Sequence, residues 1–185
     1  MRLPPGSSRL RAGIACAALW LGACASTAPL QTGEELFSGR LSVQVAASAD
    51  AAARGFSGQF ELRGSARAGS LDLSGPLGAT LARAHWSQGR YVLDDGRQAR
   101  EFDSLQNLAE QGLGEALPLA ALFDWLRARP WPGAEHRPRR DGVAGFEQMG
   151  WLIDVSQAGA GALSAQRPAP PALTLRVRLD RGSAS

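Results

Sequence analysis

Apolar and polar residues alternate without a break from Phe37 to Val45. Phe37, Gly39, Leu41, Val43 and Val45 take the odd positions, and Ser38, Arg40, Ser42 and Gln44 the even ones. A period of two is the mark of a strand with one face buried. The same pattern returns at Phe56, Gly58, Phe60 and Leu62, at Leu71 and Leu73, and from Ala79 to Trp86. Tyr91 and Leu93 continue it up to Asp94-Asp95-Gly96, a hairpin signal. The period then becomes helical. Asp103 is placed to cap a helix over 104–110, and a second helix over 118–128 starts on Pro118 and stops before Pro130 and Pro132. Its Leu119, Leu122, Phe123 and Leu126 follow i, i+3, i+4, i+7 spacing, with Trp125 beside them. After a basic loop, Arg137-Pro138-Arg139-Arg140, strands resume over 143–149, at Trp151, Ile153 and Val155, weakly over 163–166, and most cleanly over 173–179.

These are about eight to eleven strands with one helical pair inserted. Short connections predict pairing between sequence neighbours, hence an antiparallel meander. Two amphipathic helices cannot cover so long a sheet laid flat, so the sheet must curl. The expected fold is mainly β: an incomplete, unclosed antiparallel barrel with a helical lid over its open side. Such a shell either encloses an apolar cavity or has a filled core.

One turn breaks the usual chemistry of turns. Gly75-Pro76-Leu77-Gly78 joins two strands, and its proline and glycines force a tight reversal. Its tip is a leucine, which either folds back onto the sheet or projects into something apolar.

The start of the chain changes the composition. Arg2, Arg9 and Arg11 precede an apolar run over 12–21 that is too short to span a bilayer. The run ends in Leu21-Gly22-Ala23-Cys24, which resembles the bacterial lipoprotein signal. Residues 1–23 are therefore expected to be a signal peptide and 24–35 a lipidated N-terminus and tether. A domain over 36–181 and a tail over 182–185 follow. The three early arginines account for the whole formal charge of +3, leaving 17 basic against 17 acidic residues. The high isoelectric point thus gives no reason to expect nucleic acid. Beyond Cys24 there is no cysteine to form a disulfide.

Little here is arranged for catalysis. His85 and His136 stand far apart with no ligand set around either, so no metal site is expected. The chain has no lysine, which removes a phosphate-binding P-loop and Schiff-base chemistry. No catalytic residue is assigned.

Taken together, several segments resemble the LolB family, outer-membrane lipoproteins that receive other lipoproteins from a periplasmic carrier. They are Cys24, Ser38-Gly39-Arg40-Leu41, Leu71-Asp72-Leu73 running into Gly75-Pro76-Leu77-Gly78-Ala79-Thr80, Leu117-Pro118-Leu119, Trp125-Leu126 and Gln148-Met149-Gly150-Trp151. The resemblance implies an unclosed barrel with a helical lid over an apolar cavity. It also implies a membrane-insertion loop at Pro76, Leu77 and Gly78, with the leucine projecting. Two positions depart from the family pattern, Glu61 and the Asp180-Arg181 end of the last strand. Ala25 after Cys24 implies the outer membrane, with the protein anchored there by diacylglyceryl and acyl groups on Cys24, facing the periplasm and needing no other cofactor. The implied partners are a carrier resembling LolA, lipoprotein acyl chains and outer-membrane phospholipid, met by a monomer. The acyl-chain cavity is expected to be lined by Phe60, Leu71, Leu73, Tyr91, Leu93, Trp151, Ile153, Leu175 and Val177, with Leu119, Leu122 and Trp125 from the lid. Transfer would run downhill, without nucleotide hydrolysis. The rival expectation is an accessory outer-membrane lipoprotein with a filled core.

Overall fold

The computed structural model describes residues 35–49, 51–114 and 116–182, and there the alternation becomes eleven strands. The first six are β1 (Glu35–Val45), β2 (Arg54–Gly64), β3 (Gly69–Ser74), β4 (Thr80–Ser87), β5 (Arg90–Asp94) and β6 (Ala99–Phe102). The last five are β7 (His136–Pro138), β8 (Gly145–Gln148), β9 (Trp151–Asp154), β10 (Ala162–Arg167) and β11 (Leu173–Leu179). Between the two groups lie α1 (Leu105–Asn107), which continues into a π-helical turn over Leu108–Gly112, and α2 (Leu119–Trp125).

All eleven strands belong to one sheet in the order β6-β5-β4-β3-β2-β1-β11-β10-β9-β8-β7. Every pairing is antiparallel. The sheet's two edges, β6 and β7, are neighbours in sequence, and they do not pair. The barrel is therefore incomplete, and the segment joining its edges carries the helices over the gap. An edge strand left bare would template pairing with another chain, so covering the seam also protects the fold.

Register decides which residues face inward. Val43 lies opposite Phe56 and Leu175, and Leu41 opposite Val177. The odd positions of β1 from Phe37 to Val45 are buried while Arg40 and Gln44 are exposed. Gly39 is needed at its inward position because a Cβ there would come within 2.1 Å of the Arg178 carbonyl oxygen.

Five of the seven α2 residues carry apolar side chains into the core. The Phe123 ring meets Phe37 and Trp86 edge-on at centroid distances of 6.4 and 6.3 Å, tying the lid to β1 and β4. Asp124 is buried as well, and takes a 2.7 Å bond from Arg129 Nε. Arg127 also pairs with Glu35, and its guanidinium lies 5.5 Å from the Phe37 ring.

The helical segment differs from the sequence expectation in detail. Ser104, not Asp103, caps α1: its Oγ accepts from the Asn107 N–H at 3.0 Å. Pro118 is the N-cap of α2 and itself non-helical, so the helix begins one residue later. It ends well before Pro130, because Ala128 takes a left-handed φ of 58°. The Ala128 and Arg129 N–H groups then bond to the Trp125 and Asp124 carbonyls, a Schellman closure without its usual glycine. The basic 137–140 stretch is not wholly loop either, since its first two residues close the edge strand β7 against β8.

Candidate functional site

An apolar cavity of about 400 Å³ lies between the sheet and the lid. Its wall is one half of the barrel: Leu41, Val43 and Val45 from β1, Phe56, Phe60 and Leu62 from β2, Leu71 and Leu73 from β3, Leu93 from β5, and Leu175 and Val177 from β11. Leu113, Leu117, Leu119, Leu122 and Leu126 close it from the helical segment, and the polar residues Arg54, Asp95 and Arg100 also border it. Sites for small apolar ligands span about 300–1,000 Å³ with a few placed polar groups, and this one falls within that range. The core expected by the rival reading is filled in one half only.

Eight of the twelve expected lining residues border this space: Phe60, Leu71, Leu73, Leu93, Leu119, Leu122, Leu175 and Val177. Four do not. No residue of β7 to β10 lines the cavity, because α2 fills that half of the barrel with its other flank. There Trp125 stacks edge-on against Trp151 with centroids 6.0 Å apart, and Ile153 is fully buried. A buried indole N–H needs an acceptor, and Trp125 Nε1 finds Gln148 Oε1 at 2.8 Å. Gln148 is only 2% exposed and satisfies its whole amide: Oε1 also accepts from the Trp131 N–H, and Nε2 donates to the carbonyls of Trp131 and Ala134. Tyr91 shares its parity with Leu93, but it sits opposite Trp86 at the end the lid plugs, so it packs against the core beyond the cavity.

The residues that the sequence reading missed had different degrees of visibility. Leu41, Val43 and Val45 lie on the same alternating face that identified β1. Leu81 lines the cavity because the β3–β4 register slips between Leu73 and Ser74. Such a bulge re-aims side chains and leaves no mark in a hydropathy pattern. The departure at Glu61 falls on the outer face, where the carboxylate pairs with Arg63 at 2.6 Å and touches no part of the cavity.

The turn after β3 is closed by two bonds, Gly78 N–H to the Gly75 carbonyl at 2.9 Å and Gly75 N–H to the Ala79 carbonyl at 2.8 Å. Gly78 adopts φ 81°, a conformation that a side chain would strain. Within this frame Leu77 is 98% exposed and touches nothing in the core.

The strand directions locate that turn. In an antiparallel meander, alternate connections lie at the same end of the sheet. The β1–β2, β3–β4 and β5–β6 connections therefore share one end, together with the β8–β9 and β10–β11 turns. Val45, Arg54, Leu81, Asp95 and Arg100 all lie toward that end and border the cavity. The apolar space thus reaches the end that carries Leu77. Leu81, 43% exposed, and Met149 of the β8–β9 turn, 41% exposed, belong to the same end. The start of β1 lies at the other.

Among the described residues no group of three or more His, Cys, Asp or Glu could hold a metal ion, and no helix is long and apolar enough to cross a membrane. Asp94 and Asp95 serve their own turn. Asp94 accepts from the Gly96 N–H, and Asp95 Oδ1 accepts from the N–H groups of Gln98 and Arg97, which holds its carboxyl below its ordinary range. His85 is exposed, and His136 lies edge-on to Phe146 with centroids 6.4 Å apart. Cys24 and most of the expected tether lie outside the described residues.

Comparison with known proteins agrees with the architecture. The family described as "Outer membrane lipoprotein LolB" matches residues 36–180. A protein of Cupriavidus pinatubonensis named "Outer-membrane lipoprotein LolB" is 33% identical over 97% of this chain and 91% of its own length. One of the same name from Ralstonia nicotianae is 33% identical, covering 91% of this chain and 93% of that protein. Another from Bordetella petrii is 35% identical over 81% of each chain.

Proposed function

The chain belongs to the LolB family of outer-membrane lipoproteins, and from that premise we propose that it accepts lipoproteins by their acyl chains and passes them to the outer membrane. The observation that carries this reading is the apolar cavity, which reaches the end of the sheet where Leu77 projects. An acyl chain leaving water gains about 0.8 kcal/mol for each CH₂ it buries, so a better-packed cavity draws chains from a weaker one. The bilayer is better still for a long chain, and the sequence of affinities alone moves the cargo forward. No step needs a nucleotide, and a chain without lysine has no P-loop with which to bind one.

In this reading a periplasmic carrier delivers the lipoprotein, and the cavity holds the acyl chains under the lid. The Pro76-Leu77-Gly78 tip enters the membrane, so that the cavity empties into the periplasm-facing leaflet rather than into water. Cys24, carrying the diacylglyceryl and acyl groups, keeps the monomer at the outer membrane on its periplasmic side. Labelling with radioactive palmitate tests the anchor, and a Cys24→Ser chain that still takes up label removes it. The function itself is tested by transfer of a radiolabelled lipoprotein from its carrier to liposomes containing this protein. Label is expected to move to the liposomes without ATP. Label that remains with the carrier, while control liposomes behave identically, overturns the proposal.

A further inference from the structure

Arg100 is out of place in an apolar wall. It stands on β6 directly opposite Leu93, so the pleat turns both side chains to the same inward face. Both line the cavity. Its guanidinium lies 5.6 Å from the Phe102 ring, and its Nε is buried with no hydrogen-bond partner. Buried donors are almost always paired, and an unpaired one on a charged group is a costly feature to keep. Asp95 also borders the cavity and its charge attracts that of Arg100, but its Oδ1 accepts from the N–H groups of Arg97 and Gln98 and Arg100 Nε remains without a hydrogen bond.

Position adds a direction. The β5–β6 turn is at the end of the sheet that carries Leu77, and Arg100 is the second residue of β6 after it, with Leu93 and Leu71 continuing the apolar wall across the neighbouring strands in the same row. A cation at the mouth of an apolar hole is complementary to an amphiphile with an anionic head and an apolar tail. The planar guanidinium fork matches two oxygens of a carboxylate or phosphate.

We propose that Arg100 is a headgroup site, through which the cavity binds anionic acyl lipids: a fatty acid by its carboxylate or a phospholipid by its phosphate. This rests on the cavity being an acyl-chain site, and it adds a ligand class distinct from the lipoprotein cargo. The chain of the ligand runs from Arg100 past Leu93 toward Leu71, and the head stays where the mouth meets the membrane. Resident lipid of this kind competes with arriving cargo, so release of a lipid is part of acceptance. The alternative role for an inward charge on an edge strand is to deter pairing with another chain, and that role is indifferent to the ligand's head.

The test uses the full chain with Cys24→Ser, handled without detergent, and displacement of a fluorescent acyl probe. Oleate is compared with methyl oleate, and dioleoylphosphatidylglycerol with diolein. A charge-assisted pair predicts that each anionic ligand binds about ten- to a hundredfold more tightly than its neutral partner. Arg100→Gln is expected to erase that difference while leaving the neutral ligands unchanged, and Arg100→Lys to restore part of it. A preference seen only for oleate assigns the site to fatty acids, and one seen only for the phosphatidylglycerol assigns it to phospholipids. Equal binding within both pairs overturns the headgroup site and leaves the cavity standing. Failure of all four ligands to bind overturns the cavity as well.

Discussion

Replacing Leu77 by Glu separates membrane entry from folding. The leucine is 98% exposed, and the turn is held by backbone bonds and by Gly78 rather than by the leucine itself. A surface substitution with no contact to lose shifts stability by no more than about 0.5 kcal/mol, or roughly 1–2 °C in melting temperature for a domain of this size. The membrane side of the balance is much larger. Inserting the leucine gains about 1.5–3 kcal/mol, which is about 10- to 150-fold in partition. Glutamate forfeits that gain and adds the cost of carrying a charge into hydrocarbon, about 2.5 kcal/mol or more at the centre of a bilayer. Leu77→Glu should therefore melt normally, bind a fluorescent acyl chain normally, and accept labelled lipoprotein from the carrier. It should then hold that cargo, with release to liposomes reduced at least about tenfold. A melting temperature several degrees lower would show the leucine to be structural, and normal release would show the turn to be irrelevant to the membrane.

Four further outcomes follow from the same geometry. Leu73→Trp puts bulk into the cavity from a half-buried position; acyl-probe affinity should fall about tenfold or more while circular dichroism stays native. Gln148→Leu strands the Trp125 indole N–H and the Trp131 backbone. At about 1–3 kcal/mol for each orphaned buried group, urea unfolding should show a loss of at least about 2 kcal/mol, with loosening around the lid. Asp141 pairs with Arg139, which lowers its carboxyl to about 2 from an ordinary 3.8. A depressed carboxylate stabilises the fold above its unfolded pKa and loses that contribution as pH falls from about 3.8 to about 2; Asp141→Asn should flatten this part of the acid-unfolding profile. Deleting half of residues 25–34 should leave Cys24 labelling and acyl binding intact but slow release to liposomes, and unchanged release would show that tether length does not matter.

The fold was legible because β1, β2 and β11 alternate cleanly over long runs, and a sheet of that length with two amphipathic helices has few ways to hide its apolar face. The turn at Gly75 was legible for a different reason: proline and two glycines around an apolar tip conflict with the usual polar turn. What could not be read was the division of the barrel into a filled half and an empty one. Trp151 and Ile153 have the same inward parity as Leu71 and Leu175, and nothing local distinguishes them. The difference lies in α2, whose Trp125 flank meets β8 and β9 while Leu119 and Leu122 leave space before β3 and β11. Helix length misled in the same way, because the left-handed Ala128 closed α2 before the prolines could. Arg100 gave no signal at all: a lone arginine between Ala99 and Glu101 reads as solvent-facing until the register opposite Leu93 is known.

The placement of the two ends of the sheet constrains how the protein can work. The chain enters β1 at Glu35, at the end opposite Leu77 and the mouth of the cavity. If Cys24 sits in the bilayer, the eleven steps to Glu35 reach about 36–40 Å when fully extended. The eleven residues of β1 cover about 36 Å along the strand, and the roughly 40° tilt usual in barrels shortens the height of the wall to under about 30 Å. The tether is thus long enough for the far end of β1 to hang away from the membrane while the Leu77 end touches it, with only modest length to spare. A much shorter tether would hold the wrong end of the barrel against the lipid and turn the mouth toward the periplasm. The same reach lets the domain swing the mouth outward to meet a carrier and back to meet the bilayer without leaving its anchor. In the proposed function, acceptance and release are then two orientations of one barrel, and Leu77 acts only in the second, where the mouth faces the bilayer.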